Sequence, residues 1–195
     1  MRNDMAKNDQ EPELISPKKP FVKDLFSTLL SLVLMVGIVL VILNFVGTRV
    51  SVEGTSMFST LNNNDQLVED IFTYKFVREP ERFEIVIFKL KNDPGTYYIK
   101  RVIGLPGETV QIVDSVIYIN GEALEEDYGR GAYFLAGSAA DPVVLGEDEY
   151  FVLGDNRTNS IDSRYAVGKV RRSQITGRAV FRMWPLSGFG SIIDN

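Results

Sequence analysis

The residue types of this chain leave few ways to activate a nucleophile. Its 195 residues include no histidine and no cysteine, which excludes a Ser–His–Asp triad, a thiol nucleophile, a disulfide and a zinc site built from His and Cys. A catalytic base would have to be Lys, Asp, Glu or Tyr, or a metal held by oxygen ligands. Ser56, close behind Gly54, and Lys100, inside an apolar segment, are the first candidates for a nucleophile and its base.

Taken singly, these two residues have ordinary explanations. A serine after a glycine is common in loops, and a lysine in a strand usually extends to water from a sheet edge. Together they predict chemistry, because a serine hydroxyl attacks a carbonyl only when a base removes its proton. A lysine amine can be that base if burial lowers its pKa toward neutrality. Alternation places Tyr98, Lys100 and Val102 on one face of a strand, an apolar setting of the required kind.

Two further residues would complete such a site. The hydroxyl of Ser160 could orient the neutral amine of Lys100 without restoring its charge. Gly54 would let a substrate carbonyl approach the backbone N–H groups that stabilise an oxyanion.

The elements that must position these residues are mainly short β-strands. Alternating apolar runs separated by turn residues predict strands at 83–90, 97–103, 109–113, 116–119, 149–153 and 179–184. The predicted turns include Asp93-Pro94-Gly95, Asp114-Ser115 and Asn120-Gly121. Residues 122–148 have a weaker period and are predicted to leave the sheet as an insert or small subdomain.

The N-terminal part has a different composition. Residues 25–48 carry no charge, and as a helix they would rise ~36 Å, enough to cross a hydrocarbon core of roughly 30 Å. A buried core helix or a cleaved secretory signal would compete, but no Ala-x-Ala site follows the run. Lys18, Lys19 and Lys23 precede it, so the positive-inside rule predicts a cytoplasmic tail at 1–24 and an extracytoplasmic β-rich domain at 49–195.

Four separated segments, in order, resemble the boxes of bacterial type I signal peptidases, and the resemblance covers nearly the whole chain. The segments are 56–61 (SMFSTL), 64–68 (NDQLV), 98–107 (YIKRVIGLPG) and 154–164 (GDNRTNSIDSR). The resemblance implies a signal-peptidase-like β domain behind one transmembrane helix. It also implies a serine endopeptidase with a Ser–Lys dyad, which removes signal peptides from exported preproteins by cutting after small residues.

By this resemblance Ser56 is the nucleophile, Lys100 is the general base and Ser160 holds the lysine. The supporting residues it implies are Asp162, Arg164, Gly54, Arg101 and Asp155. The residues it places in the substrate pockets are Val52, Met57, Leu61, Tyr98 and Ile99 for the residue before the cut, and Leu67 and Ile87 for the residue two positions earlier. The substrate is expected to bind as an added extended strand.

The chain departs from the family pattern at three places. Gly54 replaces a serine whose hydroxyl serves some relatives as a second oxyanion donor, and Ser59 replaces the usual proline. Arg82-Phe83-Glu84 stands where many relatives have Arg-Gly-Asp.

The expected partners are signal peptides, the lipid bilayer and the secretion translocon. No cofactor and no metal site are implied, and a net charge of −5 gives no support to nucleic-acid binding. The expected location is the cell membrane, with a single pass. Two alternatives stay open: a related Ser–Lys processing peptidase of organelle or conjugation type, and a non-catalytic anchored binding module of a secretion complex.

Overall fold

Strands dominate the architecture. The computed structural model describes residues 21–45, 48–129 and 133–192, and it divides the chain into two units, Met1–Leu40 and Val41–Asn195. Its helix and strands are α1 Phe21–Phe45, β1 Thr48–Ser51, β2 Gln66–Asp70, β3 Ile85–Leu90, β4 Asp93–Gly104, β5 Thr109–Val113, β6 Val116–Ile119, β7 Glu122–Ala123, β8 Val143–Val144, β9 Glu149–Leu153, β10 Val170–Arg171, β11 Ile175–Trp184 and β12 Gly190–Ser191. The predicted mainly β fold is therefore confirmed.

Helix α1 begins four residues before the predicted apolar segment 25–48. Its hydroxyl side chains bond back to the helix, since Thr28 Oγ1 donates to the Asp24 carbonyl at 2.8 Å and Ser31 Oγ to the Ser27 carbonyl at 2.6 Å. The predicted tail at 1–24 lies outside the described residues except for its last four, which belong to α1. Among the described residues, no helix meets the combined length and hydropathy that crossing a membrane requires.

The larger sheet is antiparallel and carries the candidate catalytic residues. Its strand order is β1-β2-β11-β3-β4-β9-β10, with β12 paired to β11. Strand β3 is central in this order, and four of its six residues are buried, which explains its continuous apolar run. Strand β4 pairs with β3 along most of its length, whereas β9 pairs only with the part from Arg101 to Gly104.

The smaller sheet has the order β7-β6-β5-β8. Both of its predicted hairpin turns are confirmed, because Asp114-Ser115 and Asn120-Gly121 have positive φ at both residues and join consecutive strands. This is the backbone conformation of a two-residue turn whose twist matches the flanking strands. From the predicted insert at 122–148, strands β7 and β8 form the two edges of this sheet.

Two details of the sequence-based prediction were wrong. A turn was expected at Asp93-Pro94-Gly95, but the chain turns at Lys91-Asn92 and those three residues open β4. Proline is tolerated there because the register with β3 shifts between Asp93 and Tyr97, and among the described strands no other strand pairs with this part of β4. Strands β1, β2, β10 and β12 were also missed, although β2 lies between β1 and β11 in the sheet.

Two apolar clusters pack around the larger sheet and support the site. One cluster contains Val52, Met57, Leu61, Leu67, Ile85, Ile87, Ile99, Ala179 and Ile192. The other contains Val86, Phe88 and Val102, with Tyr98 packed against it. Neighbouring residues of β3 and β4 thus face different clusters, as strand alternation requires.

Candidate active site

Ser56 and Lys100 meet at one point although 44 residues separate them. Ser56 lies in the turns between β1 and β2, and Lys100 lies in β4. The Lys100 Nζ donates to Ser56 Oγ at 2.8 Å and to the Ile99 carbonyl at 2.9 Å. Lys100 is only 4 % exposed. The arrangement therefore places a buried amine within proton-transfer distance of a hydroxyl.

The surroundings of Lys100 favour its neutral form. Burial lowers the pKa of the Lys100 ammonium from 10.5 to about 8, against the opposing effect of the Asp162 and Asp155 carboxylates. Each of these carboxylates is itself matched by an arginine, and the pairing reduces the negative potential at the amine. A lysine with this pKa supplies a substantial neutral fraction in mildly alkaline water, which an ordinary lysine does not.

Asparagine side chains hold the loop that carries Ser56. Asn63 Oδ1 accepts from the Gly54 N–H at 2.8 Å, and Gly54 has a φ of +86°. Asn156 Nδ2 donates to the Thr55 carbonyl at 3.0 Å, and Asn159 Nδ2 donates to Thr55 Oγ1 at 3.1 Å. Sequence reasoning missed all three asparagines, since nothing local in the sequence marks such distant partners.

The first arginine–carboxylate pair joins three segments of the site. Arg101 donates to Asp155 through Nε at 2.8 Å and through Nη2 at 2.7 Å. Thr60, in the box that contains Ser56, donates its hydroxyl to the same carboxylate at 2.6 Å. The pair thereby ties the nucleophile loop to the strand that carries Lys100, and the supporting role of Arg101 and Asp155 in catalysis stays a prediction.

The second pair lies inside the loop at 154–164. Arg164 donates to both Asp162 oxygens at 2.8 Å, and the Gly154 N–H donates to Asp162 at 3.1 Å. Both side chains are buried. The two residues brace this loop from within, and their supporting role in catalysis stays a prediction.

Gly154 is required by close packing that the sequence did not reveal. A Cβ at this position would lie 2.2 Å from Ser160 Oγ and 2.5 Å from the Ser56 carbonyl oxygen. The Ser160 hydroxyl is buried and has no hydrogen-bond partner among the described residues. The Ser160–Lys100 contact thus stays a prediction, while the backbone carbonyl of Ile99 takes the second hydrogen bond of the amine.

Strand β11 also holds the nucleophile loop in place. Arg182, in β11, donates to the Thr60 carbonyl at 2.5 Å and forms an ion pair with Asp65 at 3.0 Å. These contacts join residues more than one hundred positions apart, so sequence reasoning did not find them.

A cleft of about 710 Å³ leads to Ser56 and Lys100. One wall is β1 with the chain that follows it, and the other is the first half of β4. Of the predicted pocket residues, four line this cleft: Val52, Met57, Tyr98 and Ile99. Leu61, Leu67 and Ile87 instead lie in the buried cluster that includes Val52, Met57 and Ile99, and their role as pocket residues stays a prediction.

Glu84 belongs to Arg82-Phe83-Glu84, one of the three segments that depart from the family pattern. The structure shows a physical role for it. Burial raises the pKa of Glu84, but hydrogen bonds from Arg78, the Glu81 N–H, Tyr74 and Arg178 outweigh it and hold the pKa at about 2. Glu84 therefore anchors an ion cluster at the start of β3. Among the residues that the structure describes, no three Asp or Glu side chains are grouped so that they could hold a metal ion.

The sequence profile described as "Signal peptidase, peptidase S26" matches residues 25–184, well over half of the chain. The chain belongs to this signal peptidase family. The signal peptidase resemblance stated from the boxes is thereby confirmed, and so is the prediction of a serine endopeptidase.

Three relatives illustrate the match to the signal peptidase family. The chain is 40 % identical to a probable signal peptidase I-2 of Synechocystis sp. strain PCC 6803, over 77 % of this chain and 69 % of that protein. It is 34 % identical to signal peptidase I S of Bacillus subtilis strain 168, over 80 % of this chain and 88 % of that protein. It is 37 % identical to a signal peptidase I of Leptolyngbya laminosa, over 93 % of this chain and 90 % of that protein.

The lowered pKa of Lys100 predicts the pH dependence of a signal peptidase that uses it as a base. Only the neutral amine accepts a proton, so kcat/KM should rise with pH through a midpoint near the folded-state pKa of about 8. Initial cleavage rates between pH 6 and 10 measure this midpoint. A rate that is flat over this range, or that falls between pH 7 and 9, would contradict the assignment.

Proposed function

We propose that the chain removes N-terminal signal peptides from exported preproteins as a membrane-anchored endopeptidase, with Ser56 as nucleophile and Lys100 as general base. The observation that carries this proposal is the 2.8 Å hydrogen bond between the buried Lys100 amine and Ser56 Oγ at one end of the cleft. An amine with a pKa near 8 is matched to a reaction near neutral pH.

The proposed reaction has two steps. Lys100 takes the Ser56 proton as Oγ attacks the carbonyl carbon of the scissile bond, and the resulting ammonium gives that proton to the leaving amine. An acyl-enzyme on Ser56 remains. Lys100, neutral again, then takes a proton from a water molecule that attacks the ester, and returns it to Ser56 Oγ. At the end of the second step Ser56 carries its proton again and Lys100 is neutral, and no cofactor takes part.

The oxyanion of each tetrahedral intermediate needs hydrogen-bond donors. The Ser56 N–H is the proposed donor, because no hydrogen bond among the described residues uses it. The Gly54 N–H is already given to Asn63. Holding Gly54 and Thr55 through asparagines keeps the Ser56 N–H in a fixed position before substrate arrives, so little reorganisation is needed during the reaction.

The cleft fits a substrate in extended conformation. Among the described strands, β1 pairs with β2 on one side only, and residues 97–99 of β4 pair only with β3. Both free edges border the cleft. Backbone groups of a peptide lying between them can bond to one or both edges, while the cleft walls select its side chains.

Two apolar side chains at the cleft support the proposed preference for small residues. Met57 and Ile99 are buried in the core beneath the cleft and cannot easily move aside. A large substrate side chain would therefore clash with them instead of merely binding weakly. Alanine, serine or glycine before the cut would avoid the clash.

A direct test measures cleavage of a preprotein with alanine at the residue before the bond and two positions earlier. Mass spectrometry should find one cut after the first alanine, and leucine there should lower kcat/KM by at least about tenfold. Serine at the same position serves as the matched control and should be tolerated. Equal cleavage of the leucine and alanine substrates would refute the small pocket, and binding without a cut would favour a non-catalytic module.

The membrane anchor is part of the proposal and rests on the sequence. Residues 25–48 are free of charge, and Lys18, Lys19 and Lys23 precede them. We infer a single pass with the N-terminus in the cytoplasm and the β domain outside, because basic residues favour the cytoplasmic side. The bilayer and the secretion translocon are the partners that such a location supplies. Protease protection of the N-terminal tail in sealed vesicles tests the orientation.

A further inference from the structure

One excursion of the chain contacts the supporting arginines of the site. The excursion comprises residues 122–129 and 133–140, which follow β6. Its Tyr128 ring lies flat against Arg101, with the guanidinium carbon 3.4 Å from the ring centroid. The same ring contacts Phe83 at a centroid distance of 5.6 Å. Tyr128 thus covers the side of Arg101 that its hydrogen bonds leave free.

A contact that positions Arg101 can change the charges around the proposed base, Lys100. It follows Lys100 directly in β4, is 2 % exposed, and holds Asp155 with two hydrogen bonds. A third hydrogen bond runs from its Nη1 to the Phe83 carbonyl at 2.7 Å. A planar guanidinium gains from stacking on an aromatic face, and burial strengthens this attraction. The stacked ring restricts Arg101 to the plane in which both Asp155 oxygens are met.

The excursion makes further contacts with the other arginines. Glu126 accepts from Arg157 at 2.5 and 2.8 Å, and Arg157 in turn donates to the Gly154 carbonyl at 3.0 Å. Arg164 donates to the Leu135 carbonyl at 3.1 Å. Three buried arginines, Arg101, Arg157 and Arg164, therefore have partners on one excursion.

We propose that Tyr128 is a positioning residue, which holds Arg101 on Asp155 and so sets the electrostatic environment of Lys100. The inference rests on the proposed function of Lys100 as base. It gives the excursion a part in catalysis that requires no contact with substrate, because the residues that line the cleft all lie outside it.

The charges around Lys100 give the sign of the effect. Two carboxylates, Asp155 and Asp162, favour its ammonium form, and each forms an ion pair with an arginine, Asp155 with Arg101 and Asp162 with Arg164. If the Tyr128 ring is removed, Arg101 gains freedom and neutralises Asp155 less completely. The carboxylate then raises the pKa of Lys100, which lowers the neutral fraction at pH 7.

The test compares Tyr128→Leu with two controls. In Tyr128→Leu, the midpoint of the kcat/KM rise should move up by about half to one pH unit, with kcat at pH 7 about three- to tenfold lower and KM little changed. Tyr128→Phe keeps the aromatic ring, so its midpoint should equal that of the wild type. Tyr133→Leu makes the same change at a position that is 76 % exposed in the same excursion, and it should leave the profile unchanged.

A double-mutant cycle shows whether Tyr128 acts through Arg101. In an Arg101→Lys background, Tyr128→Leu should shift the midpoint no further, since the stacked guanidinium is already gone. If Tyr128→Leu lowers only the melting temperature while the midpoint and kcat stay at wild-type values, the inference is wrong. Should that variant fail to fold, Tyr128→Met carries the same measurement.

Comparing the wild type with Ser56→Ala tests the proposed function separately from the role of Tyr128. Wild type that cleaves, with Ser56→Ala inactive, leaves the function intact whatever Tyr128 does. If wild type and Ser56→Ala yield the same products, the proposed function itself fails, and with it the role of Tyr128.

Discussion

Lys100→Met is expected to lower kcat for peptide cleavage by about 10³–10⁴-fold. Methionine fills a similar volume in the buried site but has no group that can take the Ser56 proton. It also avoids burying an amine, so the free energy of unfolding should not fall. Single-turnover cleavage followed by mass spectrometry, with circular dichroism to verify the fold, provides the measurement.

The matched control is Lys91→Met on the same β-hairpin. Lys91 is exposed in the turn between β3 and β4, outside the cleft, so its variant should cleave like wild type. Ser56→Ala, measured in parallel, should be as inactive as Lys100→Met, because residues that act as one unit do not contribute additively. If folded Lys100→Met retained a tenth of wild-type kcat, another group would have to be the base.

Arg164→Met is expected to reduce the free energy of unfolding by about 3–5 kcal/mol. The Asp162 carboxylate, fully buried, would lose its charged partner and keep mainly the N–H groups of Gly154 and Arg164. A buried charge without compensation is far more costly than a lost surface contact. Urea unfolding of the solubilised protein at neutral pH measures the change.

An exposed ion pair supplies the comparison for this variant. Lys169 pairs with Glu149 at 2.5 Å but is 39 % exposed, so Lys169→Met should cost less than about 1 kcal/mol. The double variant Asp162→Asn with Arg164→Met should regain part of the loss, since both charges are then absent. Equal destabilisation by Arg164→Met and Lys169→Met would show that burial of the pair is not what matters.

The strands that could be predicted are those with a strong local pattern. Strands β5, β6 and β9 have the predicted bounds, because alternation and flanking turn residues define them locally. Strand β2 could not be found this way. Its sequence QLVED ends in two acids, and buried Glu69 is tolerated through a hydrogen bond from Thr176 in β11. Only pairing between distant strands makes that segment a strand.

The residues of the site also fall into two groups, those that the sequence predicts and those that it does not. Ser56 and Lys100 could be singled out because few other residues in a chain without His and Cys can do the chemistry. Their supports could not, since the hydrogen bonds of Asn63 and Asn156 depend on where loops meet in space. Similarly, burial of the predicted pocket residues Leu61 and Leu67 in the core follows from three-dimensional packing, which alternation along one strand does not reveal.

The contacts of Arg182 with the nucleophile loop have a consequence for the order of folding. Arg182 lies in β11 and reaches back to Thr60, 122 residues earlier in the sequence. The loop that presents Ser56 therefore lacks this contact until β11 has paired with β2 and β3. Pairings of such high contact order also form slowly. We therefore expect proteolytic activity to appear late in refolding, after most of the secondary structure has formed.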